Sequence, residues 1–152
     1  MSKPPPRPAA PFRQTAALPW RRTADGRLEV CLVTTRETKR WTIPKGWPMK
    51  GEKDRDAARI EAEQEAGVTG RIAKKPLGAF TYFKRRQERF DFVRVDVYAL
   101  EVTKTLADWP EKTERDVRWM TPADAAILVE EPELATLLTE LEARLTSAGS
   151  SS

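Results

Sequence analysis

The run Arg89–Val102, RFDFVRVDVYALEV, most constrains what this chain can fold into. Phe90, Phe92, Val95, Val97 and Ala99 are apolar, while Asp91, Arg94 and Asp96 interleave with them. That is close to a period of two, the pattern of a long strand with one buried face. Such a strand needs neighbours along its edges and a layer over its apolar side. The run PLGAFTYFK just before it is also β-rich, and the basic stretch from Lys84 to Arg89 between them predicts a hairpin.

Further strands are predicted upstream and downstream. TAALPW and LEVCLVTT flank ADGR, whose Asp25-Gly26 suits a tight turn. RWTIP is a short extended piece, and VRWM a short final strand. Three segments read as helices. In the first, Asp54 is the expected N-cap, Ala57 to Ala66 are rich in helix formers and Gly67 is the expected stop. The others are TPADAAILV and PELATLLTELEARL, the latter with Leu134, Leu137, Leu138, Leu141 and Leu145 in one stripe that reads as a packing face. The expected architecture is a single α/β (α+β) domain over residues 13–145, a mixed sheet covered by helices. The proline-rich segment 1–12 and the small, polar tail 146–152 are expected to be flexible.

Composition narrows the chemistry. The chain contains no histidine, so a histidine base and a His-ligated zinc are excluded. Its one cysteine, Cys31, lies in an apolar run and reads as a buried thiol, which excludes a disulfide framework. A net charge of +4 favours anionic partners such as phosphates but is too weak to indicate nucleic acid. No apolar run approaches the length of a membrane span, and the expected location is the cytoplasm. Nothing distinguishes a monomer from a homodimer.

The stretch Gly46–Val68, GWPMKGEKDRDAARIEAEQEAGV, carries the chemistry. On a helix, Glu61, Gln64 and Glu65 share a face, whereas Glu63 points roughly 200° away from Glu61 at about 100° per residue. Like charges one turn apart repel, so the pair makes little sense as helix stabilisation. A divalent cation would relieve the repulsion, and magnesium prefers oxygen ligands, water and substrate phosphates. The loop before the helix, with Gly46 and Gly51, can bring backbone carbonyls and Glu52 to the same place.

This stretch resembles the signature of the Nudix hydrolases: a glycine, five residues, Glu, seven residues, then Arg-Glu-(apolar)-x-Glu-Glu-x-Gly-(apolar). Gly46, Glu52, Glu61, Ala62, Glu65, Gly67 and Val68 fall in register, while Ile60 replaces the Arg and Gln64 one Glu. RWTIPKG at its start and RWMTPADA downstream match the order of elements in that fold, an α/β/α sandwich. The resemblance implies hydrolysis of a phosphoanhydride bond in an organic diphosphate or polyphosphate, with Mg2+ or Mn2+ as cofactor. It implies Glu61 and Glu65 as metal ligands, Glu61 also as the group that orients or deprotonates water, Gln64 as a weaker ligand, a backbone carbonyl of Lys45 or Gly46, and Glu52 in support. PKGW resembles diphosphoinositol polyphosphate and dinucleoside polyphosphate phosphohydrolases, which implies phosphate binding by Lys45. Arg40, Arg85 and Arg86, with Arg36 and Lys39, are further candidates for a phosphorylated small-molecule substrate, Trp47 is a candidate for stacking on a base, and Glu111 and Glu114 are candidates for an additional carboxylate. The two departures keep a second reading open, a catalytically impaired domain that binds a phosphorylated ligand; a structural or interaction domain is the third.

Overall fold

The computed structural model describes residues 11–150. Its elements in chain order are β1 (Phe12–Arg22), β2 (Leu28–Thr34), β3 (Trp41–Thr42), β4 (Lys45–Gly46), α1 (Asp54–Ala66), β5 (Val68–Ile72), β6 (Gly78–Arg86), β7 (Arg89–Thr105), β8 (Val117–Met120), α2 (Pro122–Leu128), α3 (Pro132–Thr139) and α4 (Leu141–Ser150). The strands form one sheet in the order β3-β2-β1-β7-β5, with β4 paired to β1, β6 to β7 and β8 to β2. β1 runs parallel to β7, from Phe12 opposite Val93 to Trp20 opposite Glu101, and the other pairs are antiparallel. The sheet is therefore mixed, as expected.

Alternation along the central strands divides the core into layers. Ala16 and Leu18 of β1 and Val93, Val95 and Val97 of β7 pack with Leu134, Leu137, Leu138 and Leu141 of α3 and α4. Ala17, Tyr98 and Leu100 face the other way, onto Ala58, Ala62 and Ala66 of α1. Small alanines let α1 lie close to the sheet, which matters because that helix carries the acidic pair. The result is the α/β/α sandwich. Cys31 is fully buried in the α1 layer, and burial pushes its thiol up to about 12.

Several details depart from the sequence reading. The N-cap of α1 is Lys53, without a side-chain bond, and Asp54 instead pairs with Arg13 at 2.8 Å. Arg13 also reaches Asp96 at 3.2 Å, so the start of α1 is clamped to β1 and β7. Gly67 does end the helix, at φ 67°, a left-handed conformation that glycine adopts at little cost. β5, not anticipated, follows at once and pairs with β7 through an irregularity at Thr69/Gly70. The second long helical run divides at Glu140 into α3 and α4, and α4 continues to Ser150, past Thr146 where composition suggested a tail. Of the N-terminal segment, residues 1–10 lie outside the described residues, whereas Phe12 already belongs to β1.

The alternation in β7 slips by one residue. Asp91, 7% exposed, shares the inward side with Val93, Val95 and Val97, while Phe90 and Phe92 are 66% and 40% exposed on the opposite side. Pairing with β1 begins only at Val93, so residues 89–92 extend the hairpin beyond that neighbour. Phe92 packs on Phe83 across the hairpin at 5.3 Å between ring centroids, and Asp91 pairs with Arg86 and Arg89 at 3.0 and 3.3 Å.

Candidate active site

The site is built where α1 passes β4. Glu61 and Glu65 project one turn apart from α1, and β4 is held on β1 by the pairing of Lys45 with Ala16 and of Gly46 with Thr15. The backbone of Gly46 rests on the Glu61 carboxylate so closely that any side chain at position 46 would overlap it. Glu65 is 3% exposed. Burial raises its pKa to about 9, helped by a hydrogen bond and charge repulsion from Glu61 and opposed by Arg115 and Lys45. Without a cation the acidic pair therefore holds a proton at neutral pH.

Lys45 reaches into the same place. Burial lowers the pKa of its amine, an effect that Glu65 opposes, and the amine lies 4.9 Å from the Tyr82 ring centroid. The Tyr82 hydroxyl donates to Gln14 Oε1 at 2.7 Å, and burial pushes that phenol up to about 12. From the loop between β7 and β8, Glu111 and Arg115 complete the floor. Arg115 Nε donates to Glu111 Oε1 at 3.0 Å and Nη1 to the Thr34 carbonyl at 3.0 Å. Its Nη1 lies 3.8 Å from Glu65 Oε1.

These groups line a cleft of about 700 Å³. Its rim adds cations, Arg36, Arg40, Lys84 and Arg85, and aromatic surface from Trp47, Tyr82 and Phe83. Arg40 pairs with Glu130 at 2.7 Å and Arg36 with Glu114 at 3.4 Å, while Arg85 has no ion pair among the described residues. The cleft thus joins an acidic floor to a basic rim, a charge pattern suited to a cation and phosphates together.

The structure brings together Arg36, Arg40, Lys45, Gly46, Trp47, Glu61, Glu65, Arg85 and Glu111 of the residues singled out in the sequence. Others stand apart from the lining. Glu52 is exposed in the loop before α1. The Gln64 carbonyl accepts the Glu111 N–H at 3.0 Å, which ties the loop to the helix, but its side chain is not part of the cleft wall. Arg86 is drawn to Asp91 and lies 5.1 Å from the Trp47 ring centroid. Arg36 pairs with both loop carboxylates, Glu114 at 3.4 Å and Glu111 at 3.9 Å, but only Glu111 lines the cleft. Glu63 is turned away, bonded by Arg59 at 2.9 Å and Thr69 at 2.7 Å. Arg115 and Gln14 were missed; the one available signal for Arg115 was its spacing of four from Glu111.

The carboxylate oxygens of Glu61 and Glu65, one turn apart, fit a hard divalent cation in place of the proton between them, with Lys45 and Arg115 as neighbouring positive charges. Among the described residues no three Asp, Glu, His or Cys side chains gather into a metal-holding group. A cation at this site would need further oxygen ligands beyond Glu61 and Glu65.

The model of the NUDIX domain matches residues 11–141. The chain belongs to the Nudix family. Among curated Nudix relatives, Nudix hydrolase 12, mitochondrial, of Arabidopsis thaliana is 34% identical over 103 residues, 65% of this chain and 51% of the relative. Diphosphoinositol polyphosphate phosphohydrolase 3-beta of Homo sapiens is 35% identical over 100 residues, 64% of this chain and 57% of the relative. The chain thus spans just over half the length of these relatives. Among solved structures, a binary complex of C. elegans Ap4A hydrolase superposes with a TM-score of 0.66 at 23% identity, covering 90% of this chain and 98% of that one. The NUDIX domain of Shewanella oneidensis NrtR, complexed with ADP ribose, gives 0.68 at 16% identity, covering 94% of each. These structural likenesses establish the Nudix fold. Among the described residues no helix is long and apolar enough to cross a membrane.

Proposed function

We propose that the chain is a metal-dependent hydrolase of a phosphoanhydride bond in an organic diphosphate or polyphosphate. The observation that carries this reading is the convergence of Glu61, Glu65 and the Gly46 backbone on the floor of a cleft rimmed by cations. Glu61 and Glu65 would hold Mg2+ or Mn2+, with a carbonyl of Lys45 or Gly46. When bound, the ion supplies a lowered pKa for water and neutralises charge on the phosphoryl oxygens. Glu61, open to the cleft, orients the attacking water and accepts its proton. Lys45 and Arg85 hold the non-reacting phosphates, and Arg40, now paired with Glu130, can exchange that carboxylate for phosphate.

The names of relatives support the substrate class. The relatives compared above include a diphosphoinositol polyphosphate phosphohydrolase and an Ap4A hydrolase, and the Pro44-Lys45-Gly46 run of this chain leads onto the floor of the cleft. Dinucleoside polyphosphates and diphosphoinositol phosphates are therefore the first substrates to test. The cytoplasmic location expected from the sequence belongs to the same proposal, with the chain a monomer or a homodimer.

A second reading is favoured by one observation, that only two carboxylates rather than three occupy the helix face, with Gln64 and Ile60 at box positions. It makes the chain a binder of a phosphorylated ligand without turnover. The test is phosphate release from dinucleoside polyphosphates, nucleotide sugars and diphosphoinositol phosphates with Mg2+ or Mn2+. Turnover that Glu65→Gln abolishes supports the hydrolase. Ligand-induced thermal stabilisation without turnover supports the second reading.

A further inference from the structure

The box of this chain lacks its arginine: Ile60 stands there, and the neighbouring Arg59 is committed to Glu63 at 2.9 Å on another face of α1. Yet the buried Glu65 still has a guanidinium beside it. We propose that Arg115, from the loop between β7 and β8, is the positioning residue for Glu65 and takes the place of the missing box arginine. This rests on the reading of the cleft as a metal site.

The geometry favours that role over simple loop anchoring. The Arg115 side chain is 12% exposed, and the Glu65 side chain it faces is 4% exposed. Its planar fork is held on two sides, by Glu111 at 2.9 and 3.0 Å and by the Thr34 carbonyl at 3.0 Å. With those bonds made, Nη1 stands 3.8 Å from Glu65 Oε1 and cannot swing elsewhere without breaking them. The loop is itself fixed to α1 and β2. The Glu111 N–H bonds the Gln64 carbonyl at 3.0 Å, the Leu106 N–H bonds the Gly67 carbonyl at 2.7 Å, and the Asp116 N–H bonds Thr34 Oγ1 at 2.9 Å. Arg115 thus presents a fixed positive charge that orients the buried Glu65 carboxylate from the loop side. Its hydrogen bonds go to Glu111 and Thr34, so it stands beside Glu65 without taking up a hydrogen bond of that carboxylate. Lysine could supply the charge but not the three-sided geometry.

The test is an Mn2+ titration followed by electron paramagnetic resonance, without substrate, on the full chain and on Arg115→Met and Arg115→Lys, with melting temperatures and kcat and KM recorded alongside. The expected result is Mn2+ binding weakened by about 10 to 100-fold in Arg115→Met, the range for loss of a residue supporting a metal ligand. Arg115→Lys recovers part of the affinity, and kcat falls more than KM rises. Wild-type binding with an Mn2+ affinity within about twofold of it in a folded Arg115→Met overturns the proposal, since a purely structural arginine lowers the melting temperature without changing Mn2+ affinity. If Arg115→Met does not fold, unchanged affinity in Arg115→Lys overturns it. A wild-type chain that binds no Mn2+ overturns the metal-site reading and this inference together, whereas wild-type binding that Arg115 variants leave intact overturns this inference alone.

Discussion

The backbone of Gly46 lies against the carboxylate of Glu61, filling the space a side chain would need. Two elements far apart in their local conformation, a two-residue strand and the middle of a helix, thus meet without a gap. Gly46→Ala should push the Glu61 carboxylate out of place. Because the neighbour is the tip of a flexible side chain, the cost in stability is expected at the low end for overpacking, about 1 kcal/mol. Turnover should fall further, by about 10 to 100-fold, the range for disturbing the support of a metal ligand. Urea denaturation and steady-state rates measured on the same preparation check the two expectations.

Glu65 predicts how stability responds to pH. Its pKa is raised from 4.5 to about 9, first by burial and then by Glu61. Between those values the folded chain keeps a proton that the unfolded chain has released, so the metal-free protein loses stability as pH rises through that window. Glu65→Gln should flatten the loss while eliminating metal-dependent turnover. The lowered pKa of Lys45 acts in the opposite direction towards alkaline pH, and because Glu65 faces Lys45 the difference between wild type and variant reports the pair. Melting temperatures across the pH range in a chelator provide the readout; parallel curves for the two proteins would refute the assignment.

Gly67 supports the loop as well as the helix end. It has a φ of 67°, and a side chain there would overlap the ring of Trp109, which belongs to the segment leading to Glu111 and Arg115. Gly67→Ala combines an unfavourable backbone conformation with overpacking, for an expected loss of about 2–4 kcal/mol. Denaturant midpoints measure it. Turnover at a temperature where the variant remains folded should also fall, because Trp109 can no longer seat the loop.

Asp91 holds the tip of the β6–β7 hairpin. Its carboxylate is inward and paired with Arg86 and Arg89, whose own side chains are 43% and 72% exposed. Water can take over the arginines when the acid is removed, so Asp91→Ala is expected to cost only about 1–2 kcal/mol. Arg86 also lies over Trp47, and its release should change tryptophan fluorescence near the cleft. An unchanged spectrum and denaturant midpoint would contradict the role assigned to Asp91.

Local chemistry made much of this protein legible. The helix stop at Gly67, the shared face of Glu61 and Glu65 and the outward turn of Glu63 all follow from about 100° of rotation per residue and from the ease of a left-handed glycine. The leucine stripe of α3 and α4 reads as a packing face for the same reason, and it is buried against the sheet. The box register and the order of elements also identified the family.

Contacts between residues distant in the chain were decided only by the tertiary structure. Asp54 looks like a cap by its position, but an ion pair with Arg13 of β1 claims it. The inward side of β7 cannot be assigned to Phe90 or Asp91 by counting apolar residues, because the choice depends on where β1 begins to pair. Glu111 and Glu114 are equivalent loop acids until the loop docks on α1, which turns Glu111 onto Arg115 in the cleft and leaves Glu114 outside the lining. Arg115 acquires its place beside Glu65 by that same docking. Periodicity records which side of its own element a residue occupies; which residue of another element it meets depends on strand pairing and loop closure over long separations, and there the partner's position sets the outcome.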